Sequence, residues 1–351
     1  MSKQSTNERK TDNQLTQETR KTVDSLYRKI LGRPADNDGL KHWGTLLESG
    51  KITKKEMKEE FLNSYEYRTF RSQSKDKIKF MFAMAKYSLS HPEAGIELIN
   101  LYYNAWKDGK YPAHKYTDYS TNVEDVIHRL FPTAVNPKQD LSQLDVHCKR
   151  FLKKLESEKY PSKTRPYPAE NLMNNSSGVL LYLICKILRP EKVVETGVAY
   201  GLSSSYILQA LHENNYGELY SIDYAFRPWE SKQMLGAMIP DNLRDRWKLI
   251  YGMASKKLKP LLDSIKPVDI FIHDSAHTYS NQIFEFQTSW DYIRDGGLLI
   301  SDDITFNNAF YDFSNQKNVN PILYSQMDKN RLEYYRDYNM KIQTFIGILG
   351  K

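Results

Sequence analysis

Two hydrophobic rhythms divide the chain. In the first half, apolar residues recur every three or four positions: Val23, Leu26, Tyr27, Ile30 and Leu31, then Leu40, Trp43, Leu46 and Leu47, then Met57, Phe61 and Leu62. That spacing predicts three short amphipathic helices. Gly32 and Pro34 stop the first, Ser49-Gly50 ends the second, and Thr53 is placed to cap the third. Residues 1–21 are polar and read as a solvated tail. Further helices are predicted over 77–89, 93–106 and 140–157, with Ile96, Leu98, Ile99 and Tyr102 forming an apolar stripe on the second. The Pro-rich stretch 159–168 reads as a linker.

From Asn171 the pattern changes to helix–strand alternation. A helix over 176–188 ends at Arg189-Pro190 and leads into a β-branched strand, 192–195. The next helix opens with three serines from Ser203, each able to cap it. Strands over 218–222, 248–251, 268–273 and 297–301 end at Asp223, Gly252, Asp274 and Asp302-Asp303. This alternation predicts an α/β fold, a Rossmann-like parallel sheet with helices on both faces. Its polar residues fall at the C-terminal strand ends, where open α/β sheets bind ligands. The predicted division is a tail (1–21), a small all-α domain (22–72), a helical connector (73–170) and an α/β domain (171–351).

Composition narrows the function classes. Of 351 residues, 40% are hydrophobic and 26% charged, enough apolar material for real cores. The net charge of +7 belongs wholly to residues 1–170, which carry 31 basic and 23 acidic side chains against 19 and 20 in the remainder. The α/β half therefore lacks the basic stripe of a nucleic-acid binder. Tyr111, Lys115, Tyr116 and Tyr119 interleave aromatic and basic character without any recognised nucleic-acid module and read as connector. Two cysteines, Cys148 and Cys185, exclude a disulfide framework and a cysteine-rich zinc site, and Cys185 sits in an apolar run as a core residue. No apolar run reaches the ~20 residues of a membrane span. Residues 1–21 carry no secretory pattern, so the expected compartment is the cytoplasm.

The glycine segment after the first strand separates cofactor classes. Glu195-Thr196-Gly197-Val198-Ala199-Tyr200-Gly201 is E-x-G-x-x-x-G, not the G-x-G-x-x-G of dinucleotide sites. Gly197 allows a sharp turn beside a ligand, and Gly201 lets the helix start close to the strand. A carboxylate at Glu195 would repel a pyrophosphate and suits a cationic amino group. Asp223, 28 residues on, is placed to bind two ribose hydroxyls. A nucleoside with a cationic amino-acid tail answers these demands better than NAD. Asp274-Ser275-Ala276-His277 and Asp302-Asp303 add three carboxylates and an imidazole at neighbouring strand ends, expensive unless something pairs with them. Hard oxygen ligands suit Mg²⁺, and a histidine of pKa near ~6.5 suits a general base. The other reading of His277 is a side chain bonding a nearby backbone group, and His273, inside the strand, reads as structural. Trp290 falls at helical spacing with Phe286 and reads as core. Trp229, just past Asp223, is placed either to wall the cofactor or to anchor a surface loop.

Two resemblances follow from these motifs. LYRKILGRPADNDGLKHWGTLLESG with FLNSYEYR resembles domain of unknown function 4214, a phycobilisome-linker-like helical module, which implies docking to a protein partner and no chemistry. Its Asp36-Asn37-Asp38-Gly39 loop lacks the terminal Glu of a calcium site and reads as a plain helix junction. VVETGVAYGLSS, YSIDY, FIHDSAHTY, GGLLISDDI and the alternating KIQTFIGIL resemble the class I S-adenosylmethionine-dependent methyltransferases, family 24 in particular. The resemblance implies S-adenosylmethionine held by Glu195, Gly197, Tyr200, Gly201, Ser203, Asp223, Gly252, Ala254 and Asp274. Similarity to macrocin- and mycinamicin-type sugar O-methyltransferases and to cephalosporin hydroxylase-like proteins implies His277 as base beside Asp274, and a metal held by Asp274, Asp302 and Asp303. An Asp-Asp pair stands here where Glu-Asp is often found, so Mg²⁺ is an optional part of the expectation. The expected acceptor is a hydroxyl of a sugar, glycan or small molecule, with no nucleic acid and no membrane span involved. An N-methyltransferase and a ligand-binding scaffold are the alternatives.

Overall fold

A computed structural model describes residues 15–31, 34–63, 81–108, 113–135, 137, 139–160, 162–166, 175–224, 231–327 and 343–351. Trp229 and Tyr111 lie outside them. Contacts divide the chain into two compact units, the first ending at residue 79 and the second beginning at residue 80.

Among its described residues the first unit has three α-helices, α1 (Gln17–Leu26), which runs on into a π-helical turn (Tyr27–Leu31), α2 (Asn37–Glu48) and α3 (Lys54–Asn63). Its core is the expected one, with Val23, Leu26, Tyr27, Ile30, Leu31, Met57 and Phe61 buried together. The first helix starts about six residues earlier than its apolar pattern suggests. The Thr16 side chain caps it by accepting from the Thr19 N–H, and the Thr16 N–H donates to Glu48 across the unit. Asp36 caps α2 by accepting from Gly39 N–H at 2.6 Å, so the acidic loop is a helix start. Thr53 and Glu56 form a reciprocal capping box on α3.

The second unit opens with α4 (residues 81–90) and α5 (Pro92–Asp108). The α5 stripe faces outward: Ile96, Ile99 and Tyr102 are exposed. Next come α6 (Val123–Leu130), α7 (Ser142–Ser157) and α8 (Asn175–Leu188). The α/β part then runs β1 (Lys192–Thr196), α9 (Leu202–Asn214), β2 (Glu218–Asp223), β3 (Trp247–Tyr251), α10 (Ala254–Ile265), β4 (Val268–His273), α11 (Tyr279–Trp290), β5 (Ile293–Ser301), α12 (Ala309–Lys317), β6 (Ile322–Met327) and β7 (Gln343–Gly350).

These seven strands form one sheet in the order β3-β2-β1-β4-β5-β7-β6. β1 to β5 are parallel, and β7 runs antiparallel between β5 and β6. The doubly wound α/β fold read from the sequence is present, with β6 as an addition. Alternate residues point to opposite faces: Val193, Ile270, Ile272, Leu298 and Ile300 join α6 to α9 in one core. Val194, Phe271, Leu299 and Phe345 join α10 to α12 in the other. Tyr116 and Tyr119 pack against this second core, and Ser120 bridges to Tyr324 beside β6. Among the described residues no helix is long and apolar enough to cross a membrane.

Strand order reverses between β1 and β4, and their C-terminal ends lie side by side, Thr196 opposite His273. In an open α/β sheet this switch point leaves a crevice that no crossover helix covers.

Candidate active site

The glycine loop leaves β1 at this crevice. Gly197 has φ +86°, and a Cβ there would stand 2.0 Å from the Asp274 carbonyl oxygen. The close approach that demands glycine is thus between two strand ends. The Asp274 N–H donates to Thr196 O at 2.9 Å and locks them together. Gly201, φ +91°, starts α9 in the left-handed conformation. Between the two glycines, Ala199 also has positive φ, +45°, sparsely populated for a residue with a Cβ. Asp223 holds this strained segment: its Oδ2 accepts from Val198 and Ala199 N–H at 2.8 and 2.9 Å, and its Oδ1 from Tyr224 N–H at 2.6 Å. A carboxylate has about four acceptor sites, so Asp223 keeps capacity for a hydroxyl.

Glu195 lies under the loop instead of in the crevice. It is completely buried and accepts from the hydroxyls of Ser203 (2.5 Å), Ser204 (2.6 Å) and Ser221 (2.9 Å). Burial raises its carboxyl above the usual range against the lowering effect of those three bonds. Ser203 and Ser204 therefore tie α9 to Glu195 and do not cap the helix, and Ser205 bonds back to Gly201 O. Tyr200 is also fully buried, with its ring 5.8 Å from that of Phe151. Glu195, Tyr200 and Ser203, expected against a cofactor, are buried here, with the Ser203 hydroxyl donating to Glu195. Gly252 closes the adjacent edge, its N–H donating to Asp223 O at 2.9 Å, with Ala254 two residues on at the start of α10.

Beyond β4 the chain brings Asp274, His277, Asp302 and Asp303 together. His277 Nε2 stands 3.7 Å from Asp274 Oδ1 and 3.8 Å from Asp303 Oδ2. Its ring stacks on Phe306 at 5.6 Å, and its carbonyl accepts from Asn307. Asp303 has φ +49°, a second strained position at the crevice. Burial, then the charges of Asp302, Asp303, Glu195 and Asp223, hold the Asp274 carboxyl well above its ordinary range. Burial and neighbouring His273 lower His277 to about 3, so its imidazole is neutral at physiological pH.

Among the described residues no three His, Cys, Asp or Glu side chains converge as a metal-binding group. The His277 Nε2 stands within 4 Å of both the Asp274 and the Asp303 carboxylates. Asp274, Asp302 and Asp303 do not form such a group as arranged, and the Mg²⁺ expectation gains no support from this geometry.

Beneath His277 lies a polar cluster that sequence reasoning missed. Glu285 on α11 is completely buried. It accepts from Thr196 Oγ1 at 2.5 Å, Ser275 Oγ at 2.7 Å and Asn281 Nδ2 at 3.2 Å, and faces His273 Nδ1 at 2.6 Å. Burial raises its carboxyl, but the His273 charge and these bonds outweigh it and hold the group below the usual value. Its sequence signal was a glutamate one helical turn after Asn281 on a helix whose neighbouring positions are apolar.

With this geometry in view, the match to a known family bears on the class. Residues 194–304 match a family described as a methyltransferase domain. They form a methyltransferase domain. Residues 6–70 match a domain of unknown function, DUF4214. No curated protein matches the chain. Solved structures with a similar outline include an O-methyltransferase from Bacillus cereus in complex with SAH, at 15% identity and TM-score 0.46, covering 66% of this chain and 100% of that one. Another is the O-methyltransferase TomG from Streptomyces achromogenes, involved in tomaymycin synthesis and in complex with SAM, at 14% identity and TM-score 0.42, covering 64% and 96%. A third is the SAH-bound methyltransferase PaMTH1 from Podospora anserina, at 14% identity and TM-score 0.42, covering 68% and 99%. The methyltransferase match spans β1 to the end of β5, from the glycine loop to Asp302-Asp303.

Proposed function

We propose that the methyltransferase domain moves a methyl group from S-adenosylmethionine to a hydroxyl of a sugar, glycan or small molecule, with His277 taking the acceptor proton. The observation that carries this reading is His277 itself: a neutral imidazole at the switch-point crevice, its Nε2 flanked by two carboxylates and within hydrogen-bond reach of neither.

The chain's features suit that donor. The N–H groups and glycines of the loop from Gly197 to Gly201 suit the amino-acid end, Asp223 a ribose hydroxyl, and Gly252 to Ala254 the adenine side. Asp274, its carboxyl held well above the ordinary range by burial and by the neighbouring carboxylates, stands near the reacting centre. When bound, S-adenosylmethionine supplies a methyl group on a positively charged sulfur. The protein's share is to align the acceptor oxygen for in-line attack, exclude water and receive the hydroxyl proton at His277 Nε2. No step passes through a metal.

The test uses methyl-labelled S-adenosylmethionine with cell extract as acceptor pool. Label should enter the pool with or without chelator, and His277→Ala should lower the rate by roughly 10²–10⁴-fold, the usual worth of a general base. An unchanged rate in His277→Ala would remove the base, and loss of activity in chelator would restore the metal.

A further inference from the structure

One face of α5 is apolar and open. Ile96, Ile99, Tyr103 and Trp106 follow one another at steps of three, four and three residues. At about 100° per residue they fall within an arc of about 80°, and they are 60, 69, 58 and 61% exposed. Those steps are the spacing of the a and d positions of a coiled-coil seam. The Tyr103 and Trp106 rings already lie side by side, centroids 6.1 Å apart. The preceding helix, α4, is open in the same way: Phe82 and Leu89, seven residues apart and so on one side, are 74 and 86% exposed. With about 200 Å² for an aromatic side chain and about 120 Å² for an aliphatic one, these residues leave roughly 650 Å² of apolar surface uncovered. The largest apolar patch on a typical monomer is ~300–600 Å². A standard interface takes ~800 Å² from each partner, polar rim included.

We propose that this surface joins two copies of the chain, α5 packing antiparallel on its counterpart across a two-fold axis, with α4 beside it. About an axis midway along the stripe, Ile96 stands opposite Trp106 of the second copy and Ile99 opposite Tyr103. Each layer then sets one bulky ring against one smaller aliphatic side chain, the alternation that fills a core evenly. An antiparallel seam faces a positions with d positions, and these four residues meet in that way. The contact is isologous, and closed two-fold pairs are the commonest soluble oligomers. A bilayer suits the helix less well. Helices that lie on membranes are rich in Lys and Arg along the polar face, whereas α5 holds Lys107 as its one basic residue against Glu93, Glu97 and Asp108. The seam also ends near the crevice: Asp108 closes α5 and accepts from the Tyr279 N–H at 2.7 Å, two residues past His277.

Sedimentation velocity on the full chain, without cofactor or acceptor, tests this independently of the proposed reaction. Expected is a dimer with a micromolar or tighter Kd. Ile99→Glu buries a charge in the seam and should weaken association at least ~10-fold. Leu101→Glu, on the same helix outside the stripe, should leave the Kd within about twofold, as surface substitutions usually do. Mixing tests the direction of the seam. Ile99→Glu and Tyr103→Lys chains should each be monomeric alone and pair when combined, because the antiparallel register brings the two opposite charges together. A wild-type chain that stays monomeric at tens of micromolar protein overturns the proposal, and that result needs no variant to fold. If that monomer floats with phosphatidylcholine–phosphatidylglycerol vesicles, the stripe is a membrane surface instead. A dimer that Ile99→Glu leaves intact, or that Leu101→Glu disrupts equally, overturns it as well. Mixed variants that remain monomeric, each folded by circular dichroism, reject the antiparallel seam and the proposal with it.

Discussion

Asp274 shows how a residue at this site trades stability for placement. Its carboxyl is held well above the ordinary range by burial and by the charges of Asp302, Asp303, Glu195 and Asp223. In the unfolded chain it releases its proton near ~3.8–3.9, and folding raises that value. The folded state is therefore favoured at low pH and loses that advantage as pH rises from the unfolded value through the raised one. Asp274→Asn removes this penalty. The variant should melt higher than wild type at pH 7, by roughly 2 °C if about 1 kcal/mol is recovered, with the difference vanishing near pH 4. Differential scanning calorimetry at the two pH values checks both the sign and the window. Added Mg²⁺ should leave the wild-type melting temperature unmoved, because the carboxylates do not converge.

At the scale of elements, the β1 and β4 ends are fused by the Asp274 N–H to Thr196 O bond and by the glycine between them. Gly197→Ala should destabilise the domain by at least ~1–2 kcal/mol from its left-handed φ alone, before the contact with Asp274 O is counted. A lower urea midpoint at unchanged slope would register this, and a midpoint equal to wild type would contradict it. Much of this architecture was legible in the chain. The strands that form β1 to β5, and the polar residues ending them, follow from short apolar runs alternating with helical segments and from turn chemistry. The residues that support the site were less legible. Glu195 reads in the chain as a ligand contact, and the three serines from α9 and β2 that bond to it gave no signal of that partnership. Glu285 gave no motif because its partners come from three separate elements. β6 was missed since its short run, Ile322–Met327, acquires meaning only through pairing with β7.

For the whole molecule, each unit has its own buried core, and the elements of the candidate site belong to the second. Removing residues 1–72 should therefore leave S-adenosylhomocysteine affinity within about twofold of the full chain, a margin of ~0.4 kcal/mol. A large loss in the truncated protein would show that the first unit helps build the pocket. The central claim, a nucleoside cofactor with a cationic amino-acid tail at the switch point, is tested most directly by calorimetric titration, which needs no acceptor. S-adenosylhomocysteine should bind with a micromolar Kd, about −8 kcal/mol, and Asp223→Ala should weaken it at least ~10-fold by losing the ribose contact and the clamp on Val198 and Ala199. Tight binding of NAD with no heat from S-adenosylhomocysteine would contradict it.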